Sequence, residues 1–90
     1  MNNFHALHQL KYRYNIDGDD NTIAEILNII KDKEYSWQKL VKKSIFYGKN
    51  KQYRKWKNII ERGYNIEYGN SRMEVIVKIY NKQTRICTFH

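Results

Sequence analysis

The chain has 90 residues, which suits one small domain, because domains usually contain about 100–150 residues. Its 17 basic and 9 acidic side chains give a net charge of +8 at pH 7, and this excess favours negatively charged partners. No apolar run approaches the roughly 18 residues of a membrane-spanning helix, no signal peptide is visible, and the lone Cys87 excludes an internal disulfide. We therefore expect one basic cytoplasmic domain over residues 1–90 that does not enter a membrane.

The first predicted element is a strand over residues 10–16. Every second residue there is apolar or aromatic, which is the period of a half-buried strand. These residues are Leu10, Tyr12, Tyr14 and Ile16. A polar segment beginning at Asp17 ends the strand.

A helix is predicted next, over about residues 21–33. Its apolar residues fall at the i, i+3, i+4 and i+7 positions of one helical face. They are Ile23, Ile26, Leu27 and Ile30. Thr22 and Glu25 have the spacing of a capping box, and Asp19 and Asp20 lie where the helix dipole favours negative charge.

Two further helices are predicted, over about residues 37–47 and 51–62. Ser36 is a candidate N-cap for the first of them, with Gly48 at its C-terminal end. Asn50 is a candidate cap for the second, which Gly63 would end. Their inward-facing residues are Trp37, Leu40, Val41, Ser44 and Ile45 in the first helix, and Tyr53, Trp56 and Ile60 in the second.

Alternation of apolar and polar residues returns after Gly63 and predicts an antiparallel sheet. Its elements are a short strand over 64–68, a turn at 69–71, a strong strand over 73–79, a hairpin loop at Asn81–Lys82 and a returning strand over 83–89. The predicted order is β-α-α-α-β-β-β. This is an α+β domain with helices packed on one face of a small, mainly antiparallel sheet.

Positive charge is concentrated in the middle of the chain. Residues 39–60 contain eight basic and no acidic side chains, whereas residues 1–38 have a net charge of −2 and residues 61–90 a net charge of +2. Residue types with AT-rich codons total 47, against 11 with GC-rich codons, which suggests a low-GC bacterium or one of its phages. Such a bias raises lysine throughout a chain, so it does not explain a local cluster.

The spacing of these charges predicts a binding surface on the second and third helices. Like charges at i, i+4 cost a helix about 0.2–0.5 kcal/mol per pair, and no Glu is interspersed to offset this. Phosphate is the expected counter-charge, and an aromatic residue beside it could stack on an unpaired base. The predicted nucleic-acid-binding residues are Lys39, Lys42, Lys43, Phe46, Tyr47, Lys49, Lys51, Arg54, Lys55, Lys57 and Arg62.

The leading hypothesis is a small regulatory protein that binds nucleic acid, with RNA or a single strand favoured. A regulatory or inhibitory protein of the phage type, which docks on an acidic surface or on a nucleic-acid-binding enzyme, is the first alternative. A plain solvated basic face is the second. No catalytic residue, metal site or cofactor is predicted.

A metal-independent ribonuclease is the third alternative. The predicted order of a strand, helices and an antiparallel sheet is similar to that of small ribonuclease toxins of the RelE type, although no motif carries this similarity. It implies basic and aromatic groups around a scissile phosphate. The residues that would supply them are Arg72, Lys78, Tyr80, Arg85 and His90.

Three other patterns are explained more simply. Asp17–Asn21 resembles the start of a calcium loop but lacks its later ligands, so a turn that caps a helix is expected. The pairs His5/His8 and Cys87/His90 would form a zinc site only if the chain termini met. The Asn81–Lys82 hairpin would place Lys78 opposite Arg85, an unfavourable pairing that favours a different register.

Overall fold

The computed structural model describes residues 3–47 and 53–90, with side chains over 3–43 and 57–90. The described chain has two helices followed by one antiparallel sheet with strand order β1-β2-β3-β4. The α+β class is confirmed, whereas the predicted order with three helices is wrong. The elements are α1 (Phe4–Tyr14), α2 (Asp20–Lys31), β1 (Trp37–Tyr47), β2 (Tyr53–Tyr68), β3 (Ser71–Tyr80) and β4 (Gln83–Phe89).

The predicted strand over 10–16 is wrong, because α1 occupies most of it. Ala6 and Leu10 are buried one helical turn apart. The apolar face of the helix therefore includes residues before position 10, which the predicted strand left out. Residues four apart share a face in both a helix and a strand, which is why Leu10 and Tyr14 fitted either pattern. The helix ends at Asn15, which adopts the left-handed conformation with φ 56°.

The predicted helix over 21–33 is confirmed as α2, with a different cap. The side chain of Asp19 accepts a hydrogen bond from the Thr22 backbone N–H at 3.2 Å, and the Thr22 hydroxyl accepts one from the Asp19 N–H at 3.1 Å. The capping box is therefore Asp19–Thr22 and not Thr22–Glu25. Its buried face consists of Ile23, Ile26 and Ile30.

The two helices predicted over 37–47 and 51–62 are wrong where the structure describes them, because these segments pair as β1 and β2. Aromatic and β-branched residues are frequent in both segments, and such residues favour strands. Ser36 is not an N-cap: its backbone N–H and its hydroxyl both donate to the Gly63 carbonyl, at 2.7 and 2.8 Å. Gly48 and Asn50 lie outside the described residues.

Gly63 does not end a helix but lies within β2, directly opposite Trp37. The indole of Trp37 rests on this glycine, since a Cβ atom built there would lie 2.1 Å from the indole Nε1. The absent side chain lets the ring lie flat against the sheet. Trp37 Nε1 also donates to Glu74 Oε1 at 3.3 Å.

The C-terminal strands follow the prediction. The segment 64–68 is the end of β2, and β3 and β4 contain the predicted strands over 73–79 and 83–89. Asn81 and Lys82 form the two-residue loop, with φ angles of 50° and 62°. Positive φ at both positions is the signature of a type I′ turn, which matches the twist of a hairpin.

The hydrophobic core lies between the helices and one face of the sheet. Helix residues Leu10 and Ile26 and strand residues Val75, Val77 and Phe89 are each 0% exposed. Gln9 is buried with them, and its Oε1 accepts hydrogen bonds from the Phe89 N–H at 2.8 Å and the Thr88 hydroxyl at 2.6 Å. This side chain fixes α1 against the last strand.

The molecule is elongated, with principal extents of 48 × 25 × 18 Å. The last pair between β2 and β3 joins Ile60 to Ile79, whereas β1 and β2 remain paired as far as Tyr47 and Tyr53. These two strands therefore continue as a two-stranded arm beyond the rest of the sheet. Neither described helix is long and apolar enough to cross a lipid bilayer.

Candidate nucleic-acid interface

Eight of the predicted binding residues, six of them basic, lie on two paired strands, which we call the basic ribbon (residues 39–47 and 53–60). The ribbon contains no acidic residue. Antiparallel pairing sets Lys42 opposite Asn58 and Lys43 opposite Lys57. The basic residues of the ribbon are Lys39, Lys42, Lys43, Arg54, Lys55 and Lys57.

The helical stripes on which the site was predicted do not exist, but strand pairing still brings the charges together. Successive residues of a strand point to opposite faces, so Lys42 lies on the face that carries the helices farther along the sheet, and Lys43 lies on the open face. Lys39, Lys42 and Lys43 are exposed and Lys57 is half-buried. The ribbon therefore presents positive charge on both faces.

The described lysines of the ribbon form no ion pair with a carboxylate, although Lys39 lies directly opposite Glu61 in β2. All nine acidic residues lie in the described part of the chain, and none of the ion pairs found there involves Lys39, Lys42, Lys43 or Lys57. Those ion pairs are Lys11–Asp17 at 3.1 Å, Arg72–Glu67 at 3.2 Å and Lys78–Glu61 at 3.7 Å. The charge of these four lysines is thus available to an external partner.

Lys43 and Lys57 face each other across the two strands. Like charges in direct opposition destabilise a sheet, and here no carboxylate separates them. The ammonium of Lys57 instead lies 5.6 Å from the centre of the Tyr80 ring, a cation–π contact. Tyr80 thereby lies beside the ribbon, and no pattern in the sequence links it to these lysines.

The register of β3 and β4 places Lys78 opposite Arg85, the pairing that a loop at Asn81–Lys82 implies. A different register, the expectation favoured from the sequence, is therefore wrong. The cost of this pairing is offset from the other side, because Glu61 lies opposite Lys78 in β2 and its carboxylate is 3.7 Å from the ammonium. Sequence reasoning did not place Glu61 beside this pair.

The other five predicted binding residues include the two aromatic residues of the ribbon. Phe46 and Tyr47 are the last two residues of β1 and pair with Arg54 and Tyr53. Arg62 lies on the helix-bearing face, where its guanidinium stacks on Tyr35 at 4.6 Å. Lys49 and Lys51 lie outside the described residues.

The residues considered for a ribonuclease do not form one cluster. Arg72 and Tyr80 are eight positions apart in β3, which separates them by about 27 Å at the usual rise of a strand. Arg72 is paired with Glu67, and Tyr80 lies under Lys57. The chain also starts with a helix and not a strand, so the element order that suggested this class is absent.

The described residues contain no group of three or more His, Cys, Asp or Glu side chains arranged to hold a metal ion. His5 and His8 lie on α1, whereas Cys87 lies in β4 and His90 follows it. In the segment that resembled a calcium loop, Asp19 is the N-cap of α2.

Comparison with known proteins assigns no family to the chain. No protein-family model matches it, and neither a curated protein nor a solved structure matches it. The charge and geometry of the basic ribbon are therefore the basis for a functional conclusion.

Proposed function

We propose that this protein binds nucleic acid through the basic ribbon, mainly by contacts with phosphate groups. The observation that carries the proposal is the basic ribbon, which has six basic side chains and no acidic one. Five of the six lie in the two-stranded arm beyond the pair of Ile60 with Ile79, and the described lysines of the ribbon form no ion pair with a carboxylate. Lysines that displace counterions from phosphates supply sequence-independent affinity. Lys49 and Lys51, between the two strands in sequence, add to the same charge.

RNA or a single strand is the proposed form of the ligand. The open face of the sheet carries Tyr80 beside Lys57, and Trp37 lies on the same face as Lys39 and Lys43 by strand alternation. Aromatic side chains next to cations provide a stacking surface for unpaired bases. A two-stranded ribbon also fits the major groove of a duplex. Duplex DNA must therefore be compared with a single strand in binding experiments.

Neutralisation of the ribbon tests the site. The triple variant Lys39→Gln, Lys42→Gln and Lys43→Gln should bind a fluorescent single-stranded RNA at least about tenfold more weakly in anisotropy titrations at moderate salt. The control is the variant Lys33→Gln, Arg72→Gln and Lys82→Gln, which removes three exposed charges elsewhere and should bind like the natural chain. Equal losses in both variants would mean that net charge and not the ribbon determines binding.

Competition tests the form of the nucleic acid. Unlabelled single-stranded RNA should displace the labelled strand at lower concentration than a duplex with the same number of phosphates. Better competition by the duplex would place the ribbon in a groove and overturn the single-strand preference. Purification without nuclease distinguishes a nucleic-acid ligand from a protein partner. If a protein co-purifies in stoichiometric amount and stays bound when nuclease is then added, the ribbon binds an acidic protein surface instead.

A further inference from the structure

A cleft separates the C-terminal half of α2 from strands β2, β3 and β4. It encloses about 330 Å³, and its apolar wall includes Leu27, Ile30 and Ile79. Lys31, Arg62 and Thr84 supply polar groups to the same space. A volume of this size falls at the lower end of the range for small-molecule sites, which combine apolar walls with a few polar anchors.

Arg62 is held in this cleft without an acceptor. Its guanidinium carbon lies 4.6 Å from the centre of the Tyr35 ring, and Tyr35 in turn meets Tyr64 edge-on with centroids 6.3 Å apart. The Nε atom of Arg62 is buried and has no hydrogen-bond partner among the described residues. Buried donors in folded proteins are normally satisfied, so this unpaired donor marks Arg62 as the candidate polar anchor of the cleft, whose lining it joins.

The charge around the cleft has one sign. Lys31 and Arg62 line it and no carboxylate does. A neighbouring cavity of about 370 Å³ shares Leu27 and Thr84 with it and adds Arg85, again without a carboxylate. The surroundings therefore complement a molecule that has an apolar body and a negatively charged end.

We propose that this cleft binds a small organic anion, namely a carboxylate or a phosphate monoester attached to an apolar body. The guanidinium of Arg62 donates to the acid oxygens, because its fork of N–H groups matches the geometry of both acids. The ammonium of Lys31 adds charge, and the apolar body packs on Leu27, Ile30 and Ile79. Tyr35 holds the guanidinium in place before the ligand arrives, which reduces the entropic cost of binding.

Matched small probes test the proposal by NMR titration of the intact chain. Phenylacetate or phenyl phosphate should shift the backbone amides of Asn28, Arg62 and Thr84 saturably, with a millimolar Kd. Phenylacetamide lacks the charge and inorganic phosphate lacks the apolar body, so each should bind at least about tenfold more weakly. The stronger of the two acids identifies the preferred head group. Equal affinity for the acid and the amide, or no saturable shift with either acid, would overturn the proposal.

Variants locate the site on the protein. Arg62→Lys keeps the charge but loses the Nε donor and the fork, and should weaken phenylacetate binding about tenfold. Lys31→Gln changes an exposed residue and should weaken it less, which provides a second test if Arg62→Lys does not fold. Lys33→Gln, two residues along the chain and outside the cleft, should bind phenylacetate like the natural chain. Unchanged affinity in both Arg62→Lys and Lys31→Gln would overturn the assignment.

Discussion

The helix-covered half of the sheet and the basic ribbon share strand β2 but use it differently. In the helix-covered half, Tyr64 and Ile66 of β2 are 6% and 2% exposed, because α1 and α2 pack on that face. In the ribbon, Leu40 of β1 is 56% exposed, although it lies on the same face of the sheet as the core residues. The helices stop before they reach the ribbon, so this face of the sheet is uncovered at Leu40, whereas Ile59 on the opposite face is only 9% exposed.

This difference separates the part of the sheet that stabilises the fold from the part that we propose binds nucleic acid. Burial of core residues stabilises the fold. The exposed lysines of the ribbon contribute little to stability, and opposed pairs such as Lys43 and Lys57 lower it. The stability of the fold therefore does not explain why these basic residues are clustered. Substitutions in the two regions should therefore have opposite signatures in unfolding and in binding experiments.

The largest expected effect on stability comes from the core. Ile26→Ala removes a side chain that is 0% exposed and should lower the free energy of unfolding by about 2–5 kcal/mol in chemical denaturation. Leu40→Ala in the ribbon is the matched comparison and should cost about 0.5 kcal/mol or less. Comparable losses at the two positions would show that the ribbon is part of the core.

A second substitution tests the junction between the two regions. Gly63→Ala places a methyl group where the Trp37 indole lies and should destabilise the fold by about 1–3 kcal/mol, the usual cost of overpacking. The indole must move, so the N–H resonance of Trp37 should shift as its hydrogen bond to Glu74 is lost. A crystal structure or NMR spectrum with an unmoved indole would contradict this description of the junction.

The smallest effect concerns the contact between α2 and β2. Tyr68 donates a hydrogen bond to Glu25 at 2.5 Å, and this bond, with burial and the nearby carboxylates, raises the pKa of Tyr68 above its ordinary value of 10.0. The resulting stabilisation is therefore complete below about pH 10 and is lost as the pH rises through the pKa of the folded state.

Tyr68→Phe should remove that stabilisation, so its difference from the natural chain in free energy of unfolding should shrink as the pH rises above about 10. Glu25→Gln keeps an acceptor but removes the charge, and should lower the pKa of Tyr68 toward its ordinary value. A difference between Tyr68→Phe and the natural chain that stays constant through alkaline pH would exclude this contact as a source of pH dependence.

The sequence predicts the fold correctly where the spacing of apolar residues fits only the helical period of about 3.6 residues or only the strand period of two. Ile23, Ile26 and Ile30 have helical spacing, and residues 73–79 have an apolar residue at every second position. Trp37, Val41 and Ile45 are four residues apart, a spacing that places residues on one face in both a helix and a strand. Their strand conformation is set by pairing with distant residues such as Ile59, which local patterns do not reveal.

The candidate site is predictable in composition but not in shape. The cluster of basic residues over 39–60 is visible in the sequence because no acidic residue interrupts it. The contact of Lys57 with Tyr80 and that of Lys78 with Glu61 depend on the register of three strands. The burial of the Arg62 Nε likewise depends on how α2 and Tyr35 pack against β2, so no sequence motif predicts the cleft.

The salt dependence of RNA binding tests the central claim most directly. For a single strand, the logarithm of the affinity falls with the logarithm of salt concentration by about 0.7 for each phosphate contact. If Lys39, Lys42 and Lys43 each contact a phosphate, their change to Gln should make this slope shallower by about 2 relative to the natural chain. Slopes that remain parallel in the two proteins would show that these three lysines do not contact phosphate.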